Sequence, residues 1–226
     1  MSSALAGRGL AAAIVDLDGT MVDTVGDFEV ALAAALGDLG LPPVDRRFIA
    51  ETIGKGSEHL IRQTLAAVGA PAARFAELWP LYVNHYLAVN GRHSARYPGV
   101  LEGLEGLARR GWPLACVTNK PTAFVGPLLD AMQLARFFAV VFGGDAFARR
   151  KPDPYPLEEA CRRLGVAPAR TLVIGDSSND AEAARAAGCP VVLVSYGYNH
   201  GEPAEAAAPD AVIGRLDALE SLLGFG

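Results

Sequence analysis

The chain has 226 residues, 51% of them hydrophobic, enough apolar material for a packed core and too much for general disorder. Its formal net charge of −5, from 25 Asp and Glu against 20 Lys and Arg, argues against nucleic acid or an anionic membrane surface as a partner. No run approaches the roughly 18 consecutive apolar residues of a membrane span, and Cys116, Cys161 and Cys189 fit neither a disulfide framework nor zinc-ligand spacing.

The stretch MSSALAGRGLAAAIVDLD meets Asp16 and Asp18 too early to read as a signal peptide. A soluble cytoplasmic protein with reduced core cysteines is therefore expected. The run AAIVDLD reads as a strand, and it ends on two carboxylates one residue apart. Alternation along a strand puts Asp16 and Asp18 on one face. Two like charges that close need a bound cation, a shared proton or open water to relieve them. Gly19 and Thr20 follow as a turn. The pair thus stands at the carboxyl end of the strand, where open parallel sheets bind ligands. A polar turn that merely closes a strand is the alternative.

Residues 24–94 carry amphipathic helical patterns with no strand-like run: TVGDFEVALAAALGDLG, DRRFIAETI, SEHLIRQTLAAVG and AARFAELWPLYVNHYLAVN. Residues 23–95 are expected to form a small helical cap inserted into a core of residues 1–22 and 96–226, with hinges near Asp23 and Tyr97. Within the cap, GKGSE sets glycines around Lys55 and offers Ser57 as a helix N-cap. A helix N-terminus beside a lysine suits a carboxylate, and an exposed turn is the alternative. Trp79, Tyr82 and Tyr86 share a helical spacing that points to the cap's core. Asp23 reads as a helix cap or hinge residue. His59, His85, His93 and His200 show no metal-ligand spacing.

Beyond the cap, the runs WPLACVTN, FAVVFGG, TLVIGDSS, CPVVLVSYG and DAVIG alternate with PTAFVGPLLDAMQL, DPYPLEEACRRLG and SNDAEAARAAG, which have helical spacing. Such alternation predicts βαβ crossovers, a doubly wound parallel sheet and an α/β core. Four strand ends then carry polar groups to one sheet edge: Asp16 with Asp18, Thr118 with Asn119, Lys151 before PDP, and Asp176 with Asp180 in GDSSND. The set matches the needs of phosphoryl transfer. A carboxylate can serve as nucleophile and a second carboxyl can move the leaving group's proton. A lysine, a hydroxyl and a hard cation such as Mg²⁺ can neutralise the phosphoryl oxygens.

In that order and separation, DLDGTMVDT, VTNK, KPDP and GDSSND resemble the four motifs of the haloacid dehalogenase superfamily. The resemblance implies a Rossmann-like core with Asp16 as nucleophile and Asp18 as general acid and base. It also implies Mg²⁺ held by the carboxylates of Asp16 and Asp176 and the backbone carbonyl of Asp18. Thr118 and Lys151 would hold the phosphoryl group, and Asp180 would support the metal and Lys151 from behind them. Gly19, Thr20, Asn119 and Lys55 complete the expected substrate contacts. Asp18 favours phosphate chemistry over dehalogenation, because a halide leaves without a proton.

The helical insertion resembles the small cap of the branch that contains the phosphoglycolate phosphatases. IGKGSEHLIRQTL and SYGYNHGE sharpen that likeness. It implies a small phosphate monoester as substrate, with 2-phosphoglycolate the expected one. A phosphosugar mutase of the same superfamily shares Asp16 and Asp18, and a non-catalytic protein on this fold is the further alternative. The residue pattern assigns no role to Tyr196, Tyr198 or Asn199 and no oligomeric state.

Overall fold

Short Val, Ile, Leu and Ala runs become strands in this chain because helices cover both faces of the sheet they form. The structure is a computed structural model that describes Leu5 and residues 7–224. Residues 1–4, 6, 225 and 226 of the expected core, with the start of the stretch weighed as a signal peptide, lie outside the described residues.

The chain opens with β1 (Ala12–Val15) and β2 (Val22–Asp23), then runs through α1 (Val25–Asp38), α2 (Arg46–Thr52), α3 (Ser57–Ala67) and α4 (Phe75–Val89) to β3 (Ala95–Arg96). Next come α5 (Val100–Arg109), β4 (Leu114–Val117), α6 (Thr122–Ala131), β5 (Phe138–Phe142) and α7 (Tyr155–Leu164). The last elements are β6 (Thr171–Gly175), α8 (Ser178–Ala187), β7 (Val191–Val194), β8 (Ala211–Ile213) and α9 (Leu219–Leu222). The main sheet has the order β5-β4-β1-β6-β7-β8, and every neighbouring pair is parallel. The chain builds outward from β1 on one side, then returns to build on the other. The switch point therefore falls at the carboxyl end of β1.

Alternation along the strands sorts the core into two layers. Ala13, Val15, Leu114, Cys116, Leu172 and Ile174 pack with Leu104, Leu107, Leu128 and Leu219 on one face. Ile14, Ala115, Val117, Val173, Val191 and Leu193 pack with Leu157, Ala160, Ala181 and Ala184 on the other. Helix α5 falls outside the segments whose spacing predicts a helix. Glycines inside VLEGLEGLAR weaken its helical signal. Gly103 lets the backbone of the chain's C-terminal segment pack against the helix: an added Cβ there would lie 2.8 Å from the Leu216 backbone.

Helices α1 to α4 form their own apolar cluster. Val25, Phe28, Leu32 and Leu36 of α1 meet Ile49, Leu60, Ile61, Leu78, Tyr82 and Tyr86, and Phe124 of α6 reaches into the cluster from the core. The chain enters and leaves this helical unit through β2 and β3, which pair antiparallel as Val22 with Arg96 and Asp23 with Ala95. All three cysteines are free and buried, with the Cys161 and Cys189 sulfurs 4.0 Å apart. Among the described residues no helix is long and apolar enough to cross a membrane.

Candidate active site

Asp16 and Asp18 each have their own lysine. Asp16 continues the register of β1, its N–H donating to the Ile174 carbonyl at 2.9 Å. Its Oδ1 lies 2.9 Å from Lys151 Nζ. Two residues on, Asp18 accepts from Lys120 Nζ at 3.0 and 3.2 Å. Both aspartates are buried, and the repulsion between them is met by the two ammonium groups.

Lys151, which precedes a cis peptide to Pro152, also donates to the Val117 carbonyl at 2.8 Å and to Asp180 Oδ1 at 2.6 Å. Asp180 closes the first turn of α8 in a capping box with Ser177. Its Oδ2 accepts from the N–H groups of Asp176 and Ser177 and from the Ser177 hydroxyl, at 3.3, 3.2 and 3.0 Å. One side chain thus caps α8 and holds Lys151. Asp176 accepts from the Thr20 hydroxyl at 3.2 Å and from the Tyr198 N–H at 2.7 Å. Gly19 turns there with φ +81, and a Cβ on Gly19 or Gly197 would press on the Asp176 carboxylate.

Burial pushes the Asp16 carboxyl up to about 7, with Lys151 pulling it down and Asp180 adding to the rise. Burial likewise holds Asp176 well above the ordinary carboxylate range, helped by the charges of Asp180 and Asp16. For Lys151, burial alone would lower the value, but Asp16 and Asp180 outweigh it and hold the ammonium above its usual value.

Asp16, Asp176 and Asp180 each offer an oxygen within 4.8 Å of the others. Asp16 Oδ1 is ion-paired with Lys151 but buried without an aligned hydrogen-bond donor. A cluster of hard oxygen donors with one under-satisfied buried atom fits a divalent cation. Asp180 already accepts four hydrogen bonds, against two on Asp176, so Asp16 and Asp176 are the carboxylates with more capacity to spare. The Asp18 carboxylate points away toward Lys120 and stands outside this cluster.

The loop after β4 faces the helical unit. Thr118 donates its N–H to the Phe142 carbonyl at 3.0 Å and accepts the Lys120 N–H on its hydroxyl at 3.2 Å. Asn119 Nδ2 donates to the Gly54 carbonyl and to the Lys151 carbonyl, both at 2.9 Å, and so ties the helical unit to the core. A small pocket lies between the two units. Asp16, Asp18, Thr118, Asn119 and Lys120 form its polar side, and Phe28, Ile53 and Leu60 its apolar side, with Gly54, Gly56 and Ser57 at the cap edge.

Lys55 is exposed and is not among the residues lining the pocket. The N-cap of α3 is Gly56 rather than Ser57, which is the first helical residue and whose hydroxyl lies 3.3 Å from that of Tyr82. The chain at Gly56 has φ 90, so the turn is set by the glycine and the serine is free to face inward.

The segment after β7, to which the sequence pattern assigned nothing, braces the site. Tyr196 donates its hydroxyl to the Thr20 carbonyl at 2.8 Å. The Tyr198 hydroxyl donates to Asp23 at 2.9 Å and accepts the Thr24 N–H at 2.8 Å. Asn199 accepts the Ser178 N–H at 2.9 Å, at the start of α8. The residue that sequence reasoning missed is Lys120. Its signal was its place in VTNK, directly after two residues already assigned to the site.

The sequence model of the family described as haloacid dehalogenase-like hydrolase matches residues 13–194. A phosphoglycolate phosphatase of Cupriavidus necator is 44% identical over 94% of this chain and 92% of its own length. One from Thiobacillus denitrificans is 41% identical over 91% of this chain and 92% of its own. A solved structure from Haemophilus somnus, described as a predicted phosphoglycolate phosphatase, superposes with a TM-score of 0.89 at 32% identity, covering 95% of this chain and 98% of that one.

Proposed function

On the premise that the chain belongs to the haloacid dehalogenase-like hydrolases, we propose that it cleaves 2-phosphoglycolate to glycolate and phosphate, with Mg²⁺ as cofactor and Asp16 as nucleophile. The chain is a hydrolase of small phosphate monoesters. What carries the mechanism is the meeting of Asp16, Lys151, Asp176 and Asp180 at one sheet edge. What supports the substrate is the likeness to relatives named for it, together with a small pocket.

An Asp16 oxygen attacks phosphorus as the bond to the leaving oxygen breaks, and Asp18 gives that oxygen a proton. Water then attacks the aspartyl-phosphate with Asp18 taking its proton, so that phosphate leaves and Asp16 is restored. Lys151 and the Thr118 hydroxyl hold the phosphoryl oxygens. Mg²⁺ on the carboxylates of Asp16 and Asp176 and the Asp18 backbone carbonyl would supply further charge neutralisation. Residues 23–95 act as the cap that excludes water during the first transfer, over a core of residues 1–22 and 96–226. Buried free thiols support a reducing, cytoplasmic setting.

The test is phosphate release from a panel of small phosphate monoesters, with Mg²⁺ and with chelator, using Asp16→Asn as control. A preference for 2-phosphoglycolate that disappears in chelator and in the variant is expected. Activity spread evenly over sugar phosphates would overturn the substrate, and an Asp16→Asn enzyme with near wild-type turnover would overturn the mechanism.

A further inference from the structure

Lys120 is the one cation among the described residues that line the pocket. Its side chain has 0% exposure, and a buried ammonium is costly unless each of its three protons is met. Here they are met by Asp18 Oδ1 and Oδ2 at 3.0 and 3.2 Å and by the Tyr86 hydroxyl at 2.6 Å. The rings of Phe28 and Tyr86 lie 4.5 and 4.6 Å from Nζ, within cation–π range. The seat is thus made half by the core carboxylate and half by aromatic residues of α1 and α4.

A phosphorylated acid brings two anionic groups into this pocket. The phosphoryl end belongs beside Asp16 and Lys151, and the leaving oxygen must reach Asp18 to collect its proton. In 2-phosphoglycolate a single methylene joins that oxygen to the carboxylate. The carboxylate therefore arrives next to Asp18 in a buried site, where a carboxylate taken out of water is costly unless a cation meets it. Lys120 stands there. The sequence pattern's candidate for this task, Lys55, is exposed and outside the pocket lining.

We propose that Lys120 is the specificity-determining residue that receives the substrate's carboxylate. This rests on the phosphoglycolate reading above. The ammonium exchanges an Asp18 oxygen for a substrate carboxylate oxygen, while the Tyr86 hydroxyl and the two ring faces keep it in place. The exchange frees the Asp18 carboxyl to turn to the leaving oxygen. A substrate without the carboxylate leaves the Lys120–Asp18 pair closed.

The experiment compares kcat/KM for 2-phosphoglycolate and for ethyl phosphate, which lacks the carboxylate, in the wild-type enzyme and in Lys120→Met. The ratio of the two is expected to fall about 10- to 150-fold in the variant, the range of a lost hydrogen bond to a charged group. An unchanged ratio, with both substrates losing equally, would assign Lys120 to the support of Asp18 alone and overturn the proposal. Tyr86→Phe, which removes one hydroxyl at nearly constant volume, carries the test should Lys120→Met not fold. In it the same ratio falls several-fold, and an unchanged ratio again counts against the proposal. A wild-type enzyme that hydrolyses other phosphates but not 2-phosphoglycolate overturns both readings, whereas a preference for 2-phosphoglycolate insensitive to these variants overturns this one only.

Discussion

Two buried lysines flank the paired aspartates, and they are seated in different ways. Lys151 is held by core groups throughout: a backbone carbonyl and two carboxylates, one of them locked into the cap of α8. Lys120 has one carboxylate, a phenol and two aromatic faces, three of these four from the helical unit. The first seat is a closed network in which moving one member strands another. The second has a single ionic partner that an incoming anion can replace. On the mechanism proposed above, the transferring phosphoryl group would meet fixed charge, which needs no reorganisation at the moment of reaction, and the part of the substrate that must leave would meet charge that can move.

The strongest way to break this comparison is to remove each lysine in turn and measure unfolding in denaturant. Lys151→Met leaves Asp16 and Asp180 facing each other without a cation, and is expected to cost about 3–5 kcal/mol of stability, as for a buried ion pair that loses one partner, along with turnover. Lys120→Met is expected to cost clearly less, because it strands only Asp18, at the pocket's edge, whereas Lys151→Met also strands Asp180, whose side chain is 1% exposed and outside the pocket lining. Equal losses would mean that both seats are structural to the same degree.

Next in size is the effect of Asp18→Asn, which removes the proposed proton carrier and leaves an oxygen for Lys120. Turnover of 2-phosphoglycolate is expected to fall by about 10² to 10⁴. With p-nitrophenyl phosphate, whose leaving group departs without a proton, the loss should be much smaller, since only the second, hydrolytic step still calls on Asp18. The same loss for both substrates would remove the acid role from Asp18 and with it the reason for a movable partner.

The difference between the two seats also explains which of them the sequence made legible. Lys151 and Asp180 follow strand-like runs and lie beside Pro and Gly signals, so topology alone carries them to the edge where Asp16 stands. The parallel core, the helical insertion and the cluster of carboxylates follow from the same logic. Lys120 follows a strand just as closely, but its direction is decided by Phe28 and Tyr86, which come from a separate stretch of chain. No local pattern reports a cation seated on rings from two other helices. Lys55 shows the converse: flexible glycines place its backbone at the pocket's edge, while the side chain turns to solvent. Tyr198 was equally opaque, because its partners lie 174 and 175 positions away.

Tyr198 permits the finest cut between a fixed and a movable side. Its N–H holds the Asp176 carboxylate, while its hydroxyl reaches Asp23 and Thr24, where the chain enters the helical unit. Tyr198→Phe removes the second function and spares the first. Loss of these bonds is expected to cost about 1 kcal/mol, and amide exchange at Thr24 should quicken as its acceptor disappears. The Mg²⁺ concentration needed for half-maximal activity should stay within about twofold, because the Asp176 contact is made by backbone that every residue carries. A large rise in the Mg²⁺ requirement would show instead that the ring's anchorage at the cap entrance sets the position of the Asp176 carboxylate. The two sides of the site would then be one mechanical unit, and the exchange at Lys120 could not proceed without disturbing the cation.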